Sequence, residues 1–411
     1  MTFWTLDRVA EALGGGPRGA RTLAAVSTDT RNIPPGALFV ALRGERFDAH
    51  DFLAQAVEQG AAAVVVHDAV RASGLGVPVY EVPDTLVALG ALARYRRRAW
   101  GRPVIAVAGS NGKTSTKDLL RAALGSALAV HATTGNLNNR VGLPLTLLAL
   151  PDDADIAVIE AGTNEPGEVA ILRAICEPDL AVVTSIGEEH LEGLGDLEGV
   201  LREESAIFEG TPLAVTPADQ PEIGAAARRL GARTVVAGLD AGDVRADRWG
   251  LEPDGTGWIE IAGTVVRPPL RGAHNLRNTM LALAVCRECA VSMDDAARGI
   301  AAMPLPAMRV SWESLGQATL INDAYNANPP SMRAALALDT GCDVVAGVGD
   351  FAVALDELAP GDDRVVSAAD VEALWPLLEP RLTPGAIILL KASRGMKLER
   401  LVPHLTAWAS R

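Results

Sequence analysis

Residues 104–120 read VIAVAGSNGKTSTKDLL, an order that few arrangements other than a buried strand, a glycine turn and a helix can accommodate. The apolar run Val104–Ala108 is short and does not alternate with polar residues, as expected of a strand covered on both faces. Gly109, Ser110, Asn111 and Gly112 follow, and Lys113, Thr114 and Ser115 open a helical pattern. Glycines at such a turn let backbone N–H groups close around a polyphosphate where a side chain would collide. The helix N-terminus adds positive potential, Lys113 has the reach for β- and γ-phosphates, and Thr114 has a hydroxyl suited to magnesium. The spacing is the shorter G-x-x-G-K-T form, because the longer G-x-x-x-x-G-K-T form would need a glycine at Val107. The segment is expected to bind ATP. Kinases, GTPases and ligases share such a loop, so it names no reaction by itself.

The strand–helix alternation extends well beyond this loop. ALFVALRG (37–44) and AAAVVVHD (61–68) flank the helix-period segment HDFLAQAVEQG, and DIAVIEAG, EVAILRAI and DLAVVTSIG follow the loop. Short apolar strands separated by helices predict mainly parallel sheets covered on both faces. Residues 232–270 are more strand-like and turn-rich, whereas GAHNLRNTMLALAVCREC suits a buried helix. A Gly-Arg-Pro break at 101–103 and the Pro-punctuated MPLPAMR (303–309) predict domains at 1–100, 101–302 and 303–411. A chain of 411 residues is too long for one core, and three α/β domains are expected.

A net charge of −14 leaves no basic face for nucleic acid. A few local arginines and helix N-termini can still hold an anionic small molecule. No run of 18 apolar residues predicts a membrane span. The N-terminal MTFWTLDRVAEALGGG is acidic where a signal peptide is basic and then apolar, so the cytoplasm is the expected compartment. Cys286 and Cys289 have CxxC spacing but no second Cys/His pair near them, which predicts reduced bystanders on a helix rather than a zinc site. The chain has only four lysines, Lys113, Lys117, Lys391 and Lys397.

Several separated motifs, in order, resemble the Mur ligases: GSNGKTST (109–116), TTGNLNNRVGLPLTLL (133–148), EAGTNEPGEV (160–169), TSIGEEHLEGLGDLEGV (184–200), GAHNLRN (272–278) and NDAYNANPPSMRAAL (322–336). GNLNN…GLPLTLL together with DAYNANP…SMRAAL is most similar to the members that add D-alanyl-D-alanine. STDTRNIPPGALFVALRGERFDAHDF (27–52) resembles their UDP-binding domain. The resemblance implies an N-terminal α/β UDP-binding domain, a central P-loop parallel-sheet ATPase domain and a shortened C-terminal Rossmann-like α/β domain. It implies a monomer acting on small molecules, with ATP and Mg2+ as cofactors. A tripeptide carboxylate attacks the γ-phosphate of ATP, and the amine of D-alanyl-D-alanine then displaces phosphate from the acyl phosphate.

By position in the family motifs, Thr114 and Glu160 would hold the magnesium that bridges the β- and γ-phosphates. His190 would stand at a second magnesium, and Lys113 would steady the transferred phosphoryl group. Asn275 and Asn278, three apart on one helical face, would meet adenine and ribose. Arg309 and Asp323 would close on the phosphates and ribose, and Asn326 and Asn328 would hold the incoming dipeptide. Thr30, Arg31, Arg43, Asn136 and Asn139 would serve the UDP-linked substrate, arginine forks being suited to a diphosphate.

Two departures stand out. Most members carry a carbamoylated lysine as a ligand of the second magnesium, but GVLREESAIFEG (199–210) places Glu204 at that position. Either Glu204 supplies a carboxylate directly, or the second metal site is weakened and the chain is slow or only binds. The usual Lys-Gly-Ser-Arg becomes Lys391-Ala392-Ser393-Arg394 near the shortened C-terminus. The alternatives are a diamino-acid-adding or folylpolyglutamate synthetase-like ligase, or a non-catalytic binder of UDP-muramyl peptide or ATP.

Overall fold

The computed structural model describes residues 3–44, 47–304, 311–323, 343–349, 352, 355, 361–391 and 396–411. One compact unit holds the described residues of 1–186, 190–268 and 272–303, and a second holds 187–189, 269–271 and the described residues of 304–411. Each builds α/β layers around its own sheets. Among the described residues no helix is long and apolar enough to cross a membrane.

The first unit contains two parallel sheets. The smaller joins β1 (Val26–Ser27), β2 (Leu38–Val40), β3 (Ala63–Val66) and β4 (Val79–Glu81) in sequence order. Its two faces bury separate apolar sets, Leu38, Val40 and Val65 on one side and Phe39, Val64 and Val66 on the other. This is why β2 and β3 read as unbroken apolar runs. Helix α1 (Thr85–Trp100) covers the first face and then continues onto the larger sheet.

That larger sheet has seven strands, all parallel: β5 (Val104–Ala108), β6 (Val130–Ala132), β7 (Ile156–Glu160), β8 (Leu180–Val183), β9 (Leu213–Pro217), β10 (Arg233–Gly238) and β11 (Val244–Arg245), in the order β11-β10-β9-β8-β5-β7-β6. The chain runs from β5 to β6 and back to β7 on one side of β5, then crosses to β8 on the other, so the crevice at the C-terminal ends of β5 and β8 lies at a topological switch point. Residues 248–266 form a separate three-stranded antiparallel sheet, as their strand-like, turn-rich composition suggests.

The Gly-Arg-Pro break is not a loose linker. Gly101, at φ 68°, closes α1 by donating to Arg97 O. Arg97 is buried and donates to the carbonyls of Cys176 (2.9 Å) and Glu177 (2.9 Å) and to Asp179 (2.7 Å). Its neighbour Arg96 donates to Leu150 O (2.6 Å) and Asp152 (2.7 Å). Two consecutive arginines of α1 thus tie that helix to the loops of the larger sheet.

In the second unit, strands Ser311–Leu315, Ala318–Asp323 and Ile387–Lys391 form one sheet, with the last two parallel, and Val345–Val348 pairs in parallel with Val365–Ala368. Their core includes Leu320, Leu374, Leu390, Leu401 and Leu405.

Two predictions follow from buried groups. Arg97→Ala removes a donor from four acceptors, the carbonyls of Cys176, Glu177 and Arg102 and the Asp179 carboxylate, and lowers unfolding stability by roughly 2–4 kcal/mol, measurable by denaturant titration. His50 is buried; Asp48 accepts from its Nδ1 at 2.7 Å, and its Nε2 accepts from the His67 N–H at 3.1 Å. Burial holds its pKa below the usual 6.5 despite the Asp48 carboxylate, which Arg71 also engages. A depressed histidine pKa stabilises the fold above the unfolded value, and that stability is lost as pH falls toward the folded one. An NMR titration should therefore find His50 protonating below 6.5 in the folded chain, and a value at or above 6.5 would contradict the packing.

A candidate nucleotide and cation site at the switch point

Three strand ends meet at this crevice. The glycine turn leaves β5, Glu160 is the last residue of β7, and Thr184 and Ser185 follow β8. Helix α2 (Lys113–Leu124) starts directly after Gly112, as the sequence predicts. The loop is shaped by partners on every side. The Gly109 N–H donates to Glu204 Oε2 at 2.7 Å, the Ser110 N–H to Ser185 O at 2.8 Å, and the Asn111 N–H to Ser185 Oγ at 3.0 Å. Thr184 Oγ1 donates to Asn111 O at 2.6 Å, and Lys113 Nζ donates to the carbonyls of Gly109 and Ser110. The amides of 109–111 are thus committed to protein acceptors. The first turn of α2, Lys113 to Ser115, follows directly, and a helix N-terminus at this place favours an anion.

Two glycines here are required by their surroundings. Gly109 has φ 119°, and a Cβ on it would lie 2.5 Å from Thr184 Oγ1. Gly112 has φ 86°, and a Cβ on it would lie 2.8 Å from Asn278 Oδ1. Asn278 sits on α3 (Ala273–Glu288), and its Nδ2 donates to Asn275 Oδ1 at 3.2 Å. The two asparagines therefore form one polar pair against the loop, as their spacing suggests.

Glu160 is almost wholly buried, at 2% exposure. Its Oε1 accepts from Asn138 Nδ2 at 2.8 Å and from Thr114 Oγ1 at 3.2 Å. Its Oε2 is buried without a hydrogen-bond partner among the described residues. An unsatisfied buried oxygen costs about 1–3 kcal/mol, more when charged, so it calls for a ligand. A carboxylate beside a threonine hydroxyl at a phosphate loop is an oxygen donor set that suits Mg2+, which normally takes one or two carboxylates and fills its octahedron with phosphate and water. The residues fit the ion. Among the described residues no three His, Cys, Asp or Glu side chains gather into a closed metal cage.

A second cavity, of about 540 Å³, lies in the smaller parallel domain. Thr28, Asp29, Thr30, Arg31, Phe47 and Phe52 are among its lining residues. Phe47 and Phe52 are stacked with centroids 5.0 Å apart, and Phe47 is 56% exposed, leaving an aromatic face open. Arg31 pairs with Asp29 at 2.7 Å, and that guanidinium holds the Asp29 carboxyl down at about 2.

Residues 107–286 match a family described as "Mur ligase middle domain", and residues 22–97 one described as "Mur ligase family, catalytic domain". The chain is 34% identical to the UDP-N-acetylmuramoyl-tripeptide--D-alanyl-D-alanine ligase of Bacillus subtilis (strain 168), covering 98% of both chains. It is 35% identical to the enzyme of that name from Escherichia coli (strain K12), covering 98% of this chain and 99% of that one. The chain belongs to the Mur ligase family. The fold agrees with MurF from Acinetobacter baumannii at a TM-score of 0.88 and 29% identity, over 98% of this chain and 99% of that one. It agrees with MurF from Thermotoga maritima, solved in complex with ADP, at 0.80 and 26%, over 94% and 98%.

Against the family pattern, the structure places the expected residues unequally. Gly109 to Ser115, Glu160, Asn275 and Asn278 converge, and Thr30 and Arg31 line the second cavity. Arg43 is exposed and is not part of that lining. Asn136 is exposed, and Asn139 Oδ1 caps the helix Gly142–Leu148 by accepting from the N–H groups of Val141 and Gly142. It is the intervening Asn138 that reaches Glu160. His190 is exposed, in left-handed backbone (φ 47°) at the start of the short helix Leu191–Leu194. Arg309, Asn326 and Asn328 lie outside the described residues, as does the side chain of Asp323, whose backbone ends a strand. Cys286 is buried and Cys289 half-buried, and burial pushes their thiols up to about 12 and 11, which suits inert thiols rather than zinc ligands.

Sequence reasoning missed Asn138, Glu203, Thr184, Ser185 and Gln220. Gln220 holds Ile186 through both amide atoms, at 2.8 Å each. Asn138 lies inside the GNLNN motif, Thr184 and Ser185 inside TSIGEEH and Glu203 inside GVLREES, whereas Gln220 lies in no motif. Gly112→Ala, which adds both a left-handed strain and a clash with Asn278, should weaken ADP binding by about tenfold or more in a calorimetric titration.

Proposed function

We propose that this chain is an ATP-dependent ligase that joins D-alanyl-D-alanine to UDP-N-acetylmuramoyl-tripeptide, yielding ADP and phosphate, in peptidoglycan precursor synthesis. The observation that carries the reading is the Glu160 carboxylate at the phosphate loop, one oxygen fixed by Asn138 and Thr114 and the other buried and open to a cation.

The first step joins two anions, since a carboxylate oxygen of the tripeptide attacks the γ-phosphorus and ADP leaves. Catalysis then rests on positioning and on fixed positive charge. Helix α2 directs its first-turn N–H groups at the phosphates, and Lys113, now folded onto the loop carbonyls, has the length to reach them. Magnesium held by Thr114 and Glu160 would supply positive charge to the β- and γ-phosphate oxygens. In the second step the amine nitrogen bonds to the acyl carbon, phosphate departs and the nitrogen loses a proton. Asn275 and Asn278 are assigned to the nucleoside. The stacked Phe47–Phe52 face, Thr30 and Arg31 support a base and a diphosphate in the second cavity, and Arg43, outside that lining, keeps only the role that its motif implies. His190, Arg309, Asp323, Asn326 and Asn328 keep the phosphoryl, ribose and dipeptide roles that their motifs imply. Substrates of this kind place the enzyme in the cytoplasm.

The test is ADP release in the presence of both the tripeptide nucleotide and D-alanyl-D-alanine. Turnover should require both, and Glu160→Ala should lower it by about 100-fold or more. ADP binding without acceptor-dependent turnover would replace this reading with that of a binding-only relative.

A further inference from the structure

Helix α4 (Leu197–Ser205) ends in two adjacent carboxylates that serve different loops. Glu203 Oε1 accepts from the Val169 N–H at 2.8 Å and the Thr163 hydroxyl at 3.3 Å, and its Oε2 accepts from the Gly167 N–H at 2.6 Å. Glu204 Oε2 accepts from the Gly109 N–H at 2.7 Å. Both side chains are buried, Glu204 completely. Consecutive helical residues point about 100° apart, so one turn of helix can reach two loops. Those loops leave neighbouring strands, since β5 pairs directly with β7.

We propose that Glu203 and Glu204 form a paired brace: Glu204 sets the phosphate loop at its first glycine, and Glu203 sets the segment that follows Glu160. Both are positioning residues. The Gly109 peptide is wedged between Thr184 and Glu204 while its carbonyl accepts from Lys113 Nζ. Its backbone is therefore held from three directions, and Glu204 is the only one of the three on a helix outside the strand–loop–helix unit and its neighbouring strand. On the other loop, Glu203 satisfies the N–H groups at the start of the helix Glu168–Cys176, whose N-cap Gly167 has no side chain to do so. That fixes both ends of the stretch 161–167, of which Glu160 is the anchor on the sheet. Glu204 Oε2 thus acts on backbone.

The proposal rests on the assignment of residues 109–115 as the nucleotide site, and calorimetric titration of the full chain with ADP separates the two. Wild-type protein that binds no ADP would overturn that assignment and the brace with it. Given wild-type binding, Glu204→Ala should raise the ADP Kd about tenfold in EDTA, and by a similar factor in saturating Mg2+. Glu204→Gln keeps an oxygen that can accept from Gly109 and should stay within about threefold of wild type in both conditions. Glu203→Ala should leave the EDTA value within about twofold but raise the Mg2+ concentration for half-maximal tightening about fivefold, because the path into Glu160 is loosened. If Glu204→Ala does not fold, Glu204→Gln still decides: a wild-type-like Kd and Mg2+ dependence support the brace. A loss confined to Mg2+-containing titrations in Glu204→Gln would overturn it, since only a group acting on the cation needs the charge.

Discussion

Five buried residues of backbone, Val104–Ala108, decide where everything else at the site can stand. A strand flanked by parallel partners on both sides delivers its C-terminal end to the same edge of the sheet as theirs. The phosphate loop, Glu160 and the Thr184–Ser185 pair therefore meet without any long-range folding of loops. The reversal of strand order at this strand opens the crevice between them. Had β5 been an edge strand, the loop would have lacked one of its two neighbours, either the Ser185 acceptors or Glu160.

In an acidic chain, three carboxylates buried within one small region need a physical reason. Glu203 and Glu204 each accept from backbone N–H groups, which offsets their loss of water. Glu160 has one oxygen held by neutral donors and the other by none among the described residues. That open oxygen, beside the Thr114 hydroxyl, is what suits Glu160 to a cation.

Much of the fold was legible because buried parallel strands leave unbroken apolar runs, and β2, β3, β5, β7 and β8 all do so. The phosphate loop was legible because glycines at positive φ against close neighbours cannot be exchanged. What stayed hidden were side chains whose partners lie far away in sequence. Arg96 and Arg97 carry no local signal of a partner, and most of their acceptors lie some 50 to 80 residues further along. Asn138 and Asn139 are adjacent and chemically identical, but the turn before the helix Gly142–Leu148 sends one to Glu160 and the other to a cap. Nothing in the composition of GNLNN distinguishes them, and only the backbone path does.

The same limit governs Glu204. Position in a motif marks which helix turn it occupies, whereas the direction of its side chain depends on how closely that turn approaches the sheet. A long flexible side chain at this position could pass the loop and reach the crevice. A glutamate is shorter, and the first donor it meets is the Gly109 N–H. Once that bond forms, Oε2 is engaged at the root of the loop rather than at its phosphate-facing rim. The reach of the side chain therefore commits Oε2 to the loop, and the Thr114–Glu160 pair stands as the better-founded place for positive charge at this site.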